Sequence, residues 1–418
     1  MIKRGFLMRP SEYTTTLSNQ QLSSHGWFNR RALNLLHRTL DGQIKGRLTL
    51  ELPNGMIHDF GQPTDNEHHA IIKINSFKSL RRLIRGGSIG FAESFMDGEW
   101  QTPDEVSVIC WALANENLVN DILKGHFLLR FFNRLSHLGR ANTKKGSRKN
   151  ISYHYDLGND FYKQWLDPTF TYSSALYEGQ ESLEEAQLNK YRTICQMLNL
   201  KAGEHVLEIG CGWGGFAEVA TKEFGAKVTG ITLSKEQLAF AKERMARLGL
   251  DSQADLQLID YRDIQGEYDH IVSIEMFEAV GEEHWPTYFE TLKKRLKKGG
   301  SAVLQIISIA DERFEQYRSS ADFIQRYIFP GGMLPSPTAL QGEILLADLK
   351  LCEQTLFGLD YAKTLEIWRR NFLNAWPTIK ATEAFDERFR RMWVYYLAYC
   401  EGGFREGSID VGLYKIQH

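Results

Sequence analysis

Cysteine is scarce in this chain, and its spacing argues against two common uses of thiols. The cysteines are odd in number, lie far apart and form no C-x-x-C pair. A disulfide framework or a cysteine-based zinc site needs closer or paired cysteines. We therefore predict reduced thiols in a cytoplasmic protein, and no metal site. The five positions are Cys110, Cys195, Cys211, Cys352 and Cys400.

Long apolar runs are also missing. No stretch of about 18 apolar residues occurs, which predicts that no segment spans a bilayer. The first residues, 1–5, do not lead into the apolar stretch of a secretory signal. The sequence therefore favours a protein that is soluble or that lies on a membrane surface.

An excess of charge of one sign is the third absence. The 418 residues include 50 Lys and Arg against 52 Asp and Glu, a formal net charge of −2. This balance argues against a nucleic acid partner, which needs a basic surface. Two local runs are nevertheless basic, 140–149 and 293–298, and both are candidates for contact with anionic lipid. Aromatic residues are abundant: 24 Phe, 17 Tyr and 9 Trp predict an aromatic core, interface or pocket.

The first third of the chain predicts a small mixed domain. Residues 44–60 have the pattern of strands joined by a turn, and 69–83 that of a strand followed by a helix. Residues 104–138 are mostly helical, and apolar residues recur three and four positions apart in 118–138. That amphipathic stretch either packs on its own domain or a second subunit, or lies on a lipid surface.

A basic segment without large apolar residues, 139–150, indicates a linker. It divides the chain into a smaller N-terminal α+β domain at 20–138 and a larger domain at 151–418. In the larger domain, hydrophobic runs predict strands with helices between them, at 205–209, 227–231, 255–259, 269–274 and 301–307. This βαβα alternation predicts an α/β fold with a mostly parallel sheet covered by helices on both faces.

A glycine-rich turn follows the first of these strands. Gly210, Gly212 and Gly215 match G-x-G-x-x-G, so a dinucleotide has to be weighed. Glu208 adds E-x-G-x-G-x-G, the arrangement typical of class I methyltransferases that use S-adenosylmethionine (SAM). Residues 230–234, where NAD would need a ribose-binding acid, contain no carboxylate. The pattern favours SAM over NAD.

Several ordered motifs resemble the cyclopropane-fatty-acyl-phospholipid synthases and mycolic acid cyclopropane synthases. The resemblance begins near residue 70 and extends to the C-terminus. It is carried by His154–Phe161, Leu166–Pro168, Thr171–Ala175, Gly210–Gly215, Gly230–Gln237, Met276–Glu278, Tyr327–Gly332, Leu334–Ser336 and Asp360–Leu365, with Gly90–Trp100 resembling the extra domain of the phospholipid enzymes.

The resemblance implies a SAM site and a class I methyltransferase Rossmann-like fold, with 151–418 as the catalytic domain. Gln237 would recognise the ribose, and Tyr261 would lie on the adenine side. The full implied set, with Glu208 from the turn pattern, is Tyr172, Ser173, Glu208, Gly210, Gly212, Thr232, Leu233, Gln237 and Tyr261.

The implied reaction is methyl transfer from SAM to a cis double bond in an acyl chain of a membrane phospholipid. The alkene is the nucleophile, so no Ser or Cys nucleophile is needed. Aromatic faces would stabilise the carbocation that forms. Members of this family are thought to hold bicarbonate as the general base, and Glu278, Tyr361 and His154 match residues near it.

Four positions depart from the family pattern. Ser174 replaces a cysteine, Ala279 and Gln305 replace histidines, and Glu275 stands where glycine is common. Ser174 and Gln305 still belong to the predicted catalytic set. A cyclopropane fatty acid is the expected product, but the departures leave open a methyl- or methylene-branched chain formed by altered proton removal.

Two further expectations concern the class of protein and its location in the cell. A catalytically silent lipid-surface protein is the alternative from another class, and the intact glycine turn, Gln237, Glu278 and Tyr361 argue against it. For the enzyme, we expect a cytoplasmic location with peripheral attachment to the inner face of the membrane. The N-terminal domain would bind lipid or pair two copies as a homodimer.

Overall fold

The computed structural model describes residue 40 and residues 44–62, 68–123 and 157–418, apart from 180, 320, 383 and 384. The predicted linker at 139–150, most of the amphipathic stretch 118–138 and His154 lie outside the described residues. The domain boundaries therefore stay predictions. The described residues contain one small and one large sheet.

The small sheet has four strands in the order β2-β1-β3-β4. A tight turn at Asn54 and Gly55 makes β1 and β2 an antiparallel hairpin, as expected for 44–60, whereas β1 and β3 are parallel. Alternate residues of β3 are buried and exposed, so one face of the sheet is apolar and points inward. The strands are β1 Arg47–Glu51, β2 Ile57–Phe60, β3 His69–Ile74 and β4 Trp100–Gln101.

Three helices belong to this N-terminal region: α1 Lys78–Met96, α2 Glu105–Ala114 and α3 Glu116–Leu123. Gly87, with φ 58°, kinks α1. Asp104 caps α2 by accepting a hydrogen bond from the Val106 amide at 3.0 Å. These elements confirm the expected strand and helix in 69–83 and the helical start of 104–138.

The large sheet has seven strands in the order β10-β11-β9-β8-β5-β6-β7. Strands β5 to β9 are parallel, and β11 runs antiparallel to both β9 and β10. The five predicted strands and the predicted α/β class are confirmed. The strands are β5 His205–Ile209, β6 Lys227–Thr232, β7 Ala254–Leu258, β8 Tyr268–Ile274, β9 Leu296–Ile309, β10 Lys350–Leu356 and β11 Ile409–Gln417.

The helices of the larger region connect or cover these strands. They are α4 Asn159–Lys163, α5 Leu183–Leu198, α6 Gly215–Lys222, α7 Lys235–Leu248, α8 Trp285–Arg295, α9 Asp311–Ser319, α10 Phe323–Tyr327, α11 Pro337–Leu346, α12 Gly358–Thr382 and α13 Glu387–Arg405. Short 3₁₀ turns span Phe277–Ala279 and Glu282–His284. Ser182 caps α5 with a reciprocal capping box, which fixes where that helix begins.

The N-terminal region packs against α13 and α10. The rings of Phe95 and Tyr395 lie 5.6 Å apart, and the Tyr327 hydroxyl donates to Glu93 Oε1 at 2.6 Å. Tyr395 is fully buried among apolar side chains. The two regions therefore share one hydrophobic core across their contact.

Of the two basic runs that the sequence analysis singled out, 293–298 lies within the described residues. In the basic run 293–298, Lys293, Lys294 and Lys297 each form an ion pair with an acidic side chain, at 2.7 to 2.8 Å. The run is therefore largely neutralised, which weakens its candidacy for binding anionic lipid. Among the described residues, no helix combines the length and apolar character needed to cross a bilayer.

Candidate active site

The glycine-rich turn lies at the carboxyl end of β5 and leads into α6. Gly210 and Gly212 have φ of 89° and 50°, conformations that side-chain-bearing residues rarely adopt. A Cβ added to Gly212 would meet no atom within 4 Å, so the backbone there borders open space. The turn therefore exposes its backbone to a ligand beside the start of a helix.

All nine predicted SAM residues line one cavity of about 610 Å³. Thr232 donates to Gln237 Oε1 at 3.0 Å, which leaves the amide N–H₂ of Gln237 free to turn toward a ligand. Glu208 Oε2 and Tyr261 Oη are buried and have no hydrogen-bond partner among the described residues. A ligand that carries a positive charge and hydroxyl groups, such as SAM, fits this site. It would give Glu208 Oε2 and Tyr261 Oη the hydrogen-bond partners that they lack among the described residues.

Glu275 is the centre of a second polar cluster in the same cavity. It follows the last residue of β8 and has φ 48°, the left-handed region that costs a non-glycine residue about 1–2 kcal/mol. Its Oε1 accepts from the Ser174 amide at 2.8 Å and from Gln305 Nε2 at 2.7 Å. Its Oε2 accepts from the Tyr361 hydroxyl at 2.7 Å. Three donors from three separate segments therefore converge on one carboxylate.

Glu278 lies one short turn further along and has a different environment. Its Oε1 accepts from the Ile307 amide at 2.6 Å, and its buried Oε2 has no partner among the described residues. Burial raises the pKa of Glu278 to about 8, and the neighbouring Glu275 adds to the shift. Burial also raises the pKa of Glu275, but three donors and a nearby lysine favour its charged form. The hydrogen-bond donors therefore favour negative charge on Glu275 over negative charge on Glu278.

Lys190 is a functional candidate that the sequence analysis missed. It lies on the inner face of α5, is fully buried, and its Nζ donates to Ser173 Oγ at 2.6 Å. Burial lowers its pKa to about 7, against the attraction of Glu275 and other nearby carboxylates. In the sequence, Lys190 lies four positions after Ala186 and four before Ile194, on the apolar face of the helix. That spacing is the signal that could have found it.

The predicted catalytic residues divide into two groups. Glu278 and Tyr361 line the cavity. Ser174 and Gln305 are fully buried and contact Glu275 instead, Ser174 through its backbone amide only. Ser174 and Gln305 thus hold the Glu275 carboxylate in place, and their predicted catalytic roles stay predictions. His154 lies outside the described residues, so its predicted role stays a prediction.

Aromatic side chains also line the cavity. The ring of Tyr361 stacks on Phe404 with centroids 4.5 Å apart, and the hydroxyls of Tyr172 and Tyr396 lie 2.9 Å apart. The cavity is also lined by Phe170, Tyr191, Trp213, Tyr261, Tyr317, Phe329, Tyr395 and Tyr399. This agrees with the expected aromatic pocket, in which ring faces favour positive charge.

The buried acids predict an unusual pH dependence of stability. The pKa values of Glu208 and Glu278 are raised from 4.5 to about 8, so the native state holds protons that the unfolded state releases. Stability should therefore fall as pH rises from about 5 to about 7, by up to about 1.4 kcal/mol per pH unit for each group. Above pH 7 the native state also loses the Lys190 proton, which opposes this trend. Denaturant unfolding of Glu278→Gln should show a shallower slope than the unsubstituted protein.

Glu290→Gln is the matched control, because Glu290 is exposed and its pKa is lowered by Lys294. That variant should keep the full slope over the same pH range. Equal slopes for all three proteins would contradict the burial argument.

Comparison with known proteins agrees with this geometry. The model of the mycolic acid cyclopropane synthetase family matches residues 142–414, more than half of the chain. The chain belongs to this family. The region at 44–123, with the four-stranded sheet, lies outside the match, so the chain carries an additional region beyond the family core.

Curated relatives of the family extend over most of the chain. The tuberculostearic acid methyltransferase of Mycobacterium tuberculosis is 37% identical over 343 residues, 79% of each chain. The cyclopropane-fatty-acyl-phospholipid synthase of Escherichia coli is 35% identical over 360 residues, 86% of this chain and 91% of its own. The two relatives are thus named for different lipid products.

Solved structures show the same family fold. The mycolic acid cyclopropane synthase CmaA1 was solved with S-adenosylhomocysteine (SAH) and CTAB. It is 30% identical to this chain with a TM-score of 0.61, and the match covers 65% of this chain and 98% of its own. The cyclopropane synthase MmaA2 from Mycobacterium tuberculosis is 28% identical with the same TM-score and coverage. Membership of this family makes the chain a SAM-dependent methyltransferase that modifies lipids.

Proposed function

We propose that the enzyme methylates a cis double bond in an acyl chain of a membrane phospholipid, and that Glu275 removes the proton that completes the reaction. The product is then a methyl- or methylene-branched chain rather than a cyclopropane. The observation that carries this proposal is the Glu275 carboxylate, held by Ser174, Gln305 and Tyr361 within the cavity.

The first step needs alignment and a dry site more than a nucleophile. Bound SAM supplies an electrophilic methyl group. The alkene π electrons form the new C–C bond, the C–S bond breaks to leave S-adenosylhomocysteine, and a carbocation remains on the neighbouring chain carbon. Tyr361, Tyr172 and Tyr396 present aromatic surface around this position, and buried rings favour a cation by about 2 kcal/mol or more when desolvated.

The second step decides the product. A proton lost from the new methyl group closes a cyclopropane ring. A proton lost from an adjacent chain carbon gives a methyl-branched alkene, and a hydride shift before loss from the methyl group gives a methylene branch. In each case a base accepts one proton. The position of the base decides between loss from the methyl group and loss from the adjacent chain carbon, and the hydride shift decides between a ring and a methylene branch. Glu275 is fixed by its backbone and three donors, which supports removal from one defined position.

Bicarbonate, the base thought to serve in this family, does not fit this donor set. Ser174, Gln305 and Tyr361 already donate to the Glu275 carboxylate, which is itself a planar anion. A second anion beside Glu275 and Glu278 would add charge to a buried site that already holds two acids. We therefore propose that Glu275 takes the place of bicarbonate. The methyltransferase names of several relatives, the tuberculostearic acid enzyme among them, support a branched product.

The proposed substrate also sets the place of action. A phospholipid chain has to leave the bilayer to enter a buried cavity, so we propose peripheral attachment to the inner face of the membrane. The homodimer expected from the N-terminal domain stays a prediction.

Product analysis tests the proposal. Purified protein is incubated with SAM and vesicles of phosphatidylglycerol that carry one cis double bond per chain, and the released fatty acid methyl esters are examined by mass spectrometry and NMR. We expect chains one carbon heavier that retain one double bond. A product that consists only of cyclopropane acids would overturn the assignment of Glu275, and no methylated lipid would overturn the substrate class.

A further inference from the structure

The active-site cavity continues into the N-terminal region. Besides the SAM and acid residues, its lining includes side chains from β1, β3, α1, α2 and α3. From the sheet these are Leu48, Leu50, Ile72 and Ile74, and from the helices they include Leu80, Phe91, Val108, Ile109, Trp111 and Leu113. One continuous space therefore joins the reacting groups to a region outside the family match.

This part of the cavity is lined mainly by apolar side chains. The four sheet residues are 3 to 6% exposed, and they alternate with outward-facing neighbours such as Thr49 and Ile71. Trp111, from α2, adds a large ring to the same wall and is 5% exposed. Such a surface gives affinity to alkyl groups and none to a charged headgroup.

Two polar lining residues, Ser88 on α1 and Glu116 on α3, also belong to the N-terminal region. Glu116 and Arg313 form an ion pair between α3 and α9, and both are partly exposed. SAM would occupy the part of the cavity at the glycine-rich turn. Because a phospholipid headgroup must stay near water, the apolar part beside the sheet suits the other end of the acyl chain.

We propose that the inner face of the N-terminal sheet binds the methyl-terminal segment of the acyl chain and sets how many carbons can lie beyond the double bond. This inference rests on the proposed acyl-chain function, and it assigns the N-terminal region a direct part in substrate selection. The contacts of α10 and α13 with this region, including Tyr327 to Glu93 and Phe95 to Tyr395, hold it in a fixed position relative to the reacting groups.

Adjacent residues of β3 provide a matched test. Ile72 faces the cavity, whereas Ile71 is 36% exposed on the outer face. Ile72→Trp should fill the part of the cavity beside the sheet, and Ile71→Trp adds the same group outside it. The substrates are phosphatidylglycerol vesicles whose chains share one double-bond position counted from the carboxyl group and differ by two methylenes beyond it.

For Ile72→Trp we expect the ratio of kcat/KM for the longest chain to that for the shortest to fall at least about tenfold. Ile71→Trp should keep the ratio of the unsubstituted enzyme. Ile72→Ala should shift the ratio in favour of longer chains, and it tests the inference if the tryptophan variant does not fold. Binding of S-adenosylhomocysteine, measured by calorimetry, confirms that each variant retains its SAM site.

Two results would overturn the inference. One is a folded Ile72→Trp that loses activity equally on all chains, and the other is an unchanged ratio in both Ile72 variants. If the unsubstituted enzyme methylates none of these vesicles, the proposed function fails instead, so the two failures are distinguishable.

Discussion

Glu275→Gln should lower kcat by about 100- to 10,000-fold, the contribution usual for a positioned general base. The amide keeps the size and position of the side chain but cannot accept the proton that leaves the carbocation. Binding of SAM should stay within about twofold, because Glu275 belongs to the acid cluster and not to the predicted SAM residues. Single-turnover kinetics with calorimetric SAM binding separates the two effects.

Glu275→Gly provides a second test of the same role. The substitution removes the carboxylate, leaves Ser174, Gln305 and Tyr361 as unpaired donors and places glycine at a φ of 48°, which it adopts without strain. We expect little activity in buffer free of bicarbonate and partial recovery when bicarbonate is added. Sodium chloride at equal ionic strength is the control and should give no recovery. Full activity of either variant without bicarbonate would remove Glu275 from the mechanism.

Lys190→Met should move the acidic limb of the pH profile of kcat to higher pH, so that kcat on that limb falls about tenfold for each unit by which the pKa of Glu275 rises. The lysine is a buried positive charge close to Glu275, so its removal raises the pKa of that acid and favours its protonated form. A carboxyl group that is already protonated cannot act as the base. At any pH well below its pKa, the charged fraction falls about tenfold when the pKa rises by one.

Arg192→Met is the control on the same helix. Arg192 is exposed and pairs with Glu223 at 2.7 Å, an ion pair that contributes about 1 kcal/mol at most. Its loss should leave the pH profile of kcat in place. If Lys190→Met lowered kcat equally at every pH, a packing role would explain the loss and the electrostatic role would be wrong.

The fold was predictable where burial leaves a local pattern in the sequence. Strands β5, β6 and β8 are buried on both faces over most of their length and are rich in apolar residues, for example Val206, Leu207 and Ile209 of β5. The edge strand β10 was not predicted, because nearly all of Lys350–Leu356 is exposed and carries no apolar run. Its pairing with β11 depends on contacts between residues about 60 positions apart, which a local pattern does not encode.

The candidate site was predictable in part, for a related reason. The glycine-rich turn is contiguous in sequence, so it indicated SAM directly. The base cluster is not contiguous, since Ser174, Gln305 and Tyr361 meet Glu275 only after β8, β9 and α12 pack together. The sequence identified Glu275 as a departure from glycine but not that its carboxylate would satisfy all three donors. Lys190 was hidden for the same reason.

The dependence of the unsubstituted enzyme on bicarbonate tests the central claim most directly. Methyl transfer to unsaturated phosphatidylglycerol vesicles is measured in buffer purged of carbon dioxide and again after bicarbonate is added, with the product identified each time. If Glu275 is the resident base, the rate is the same in both buffers and the product is a branched chain. A rate that collapses without bicarbonate, together with a cyclopropane product on its return, would contradict the assignment.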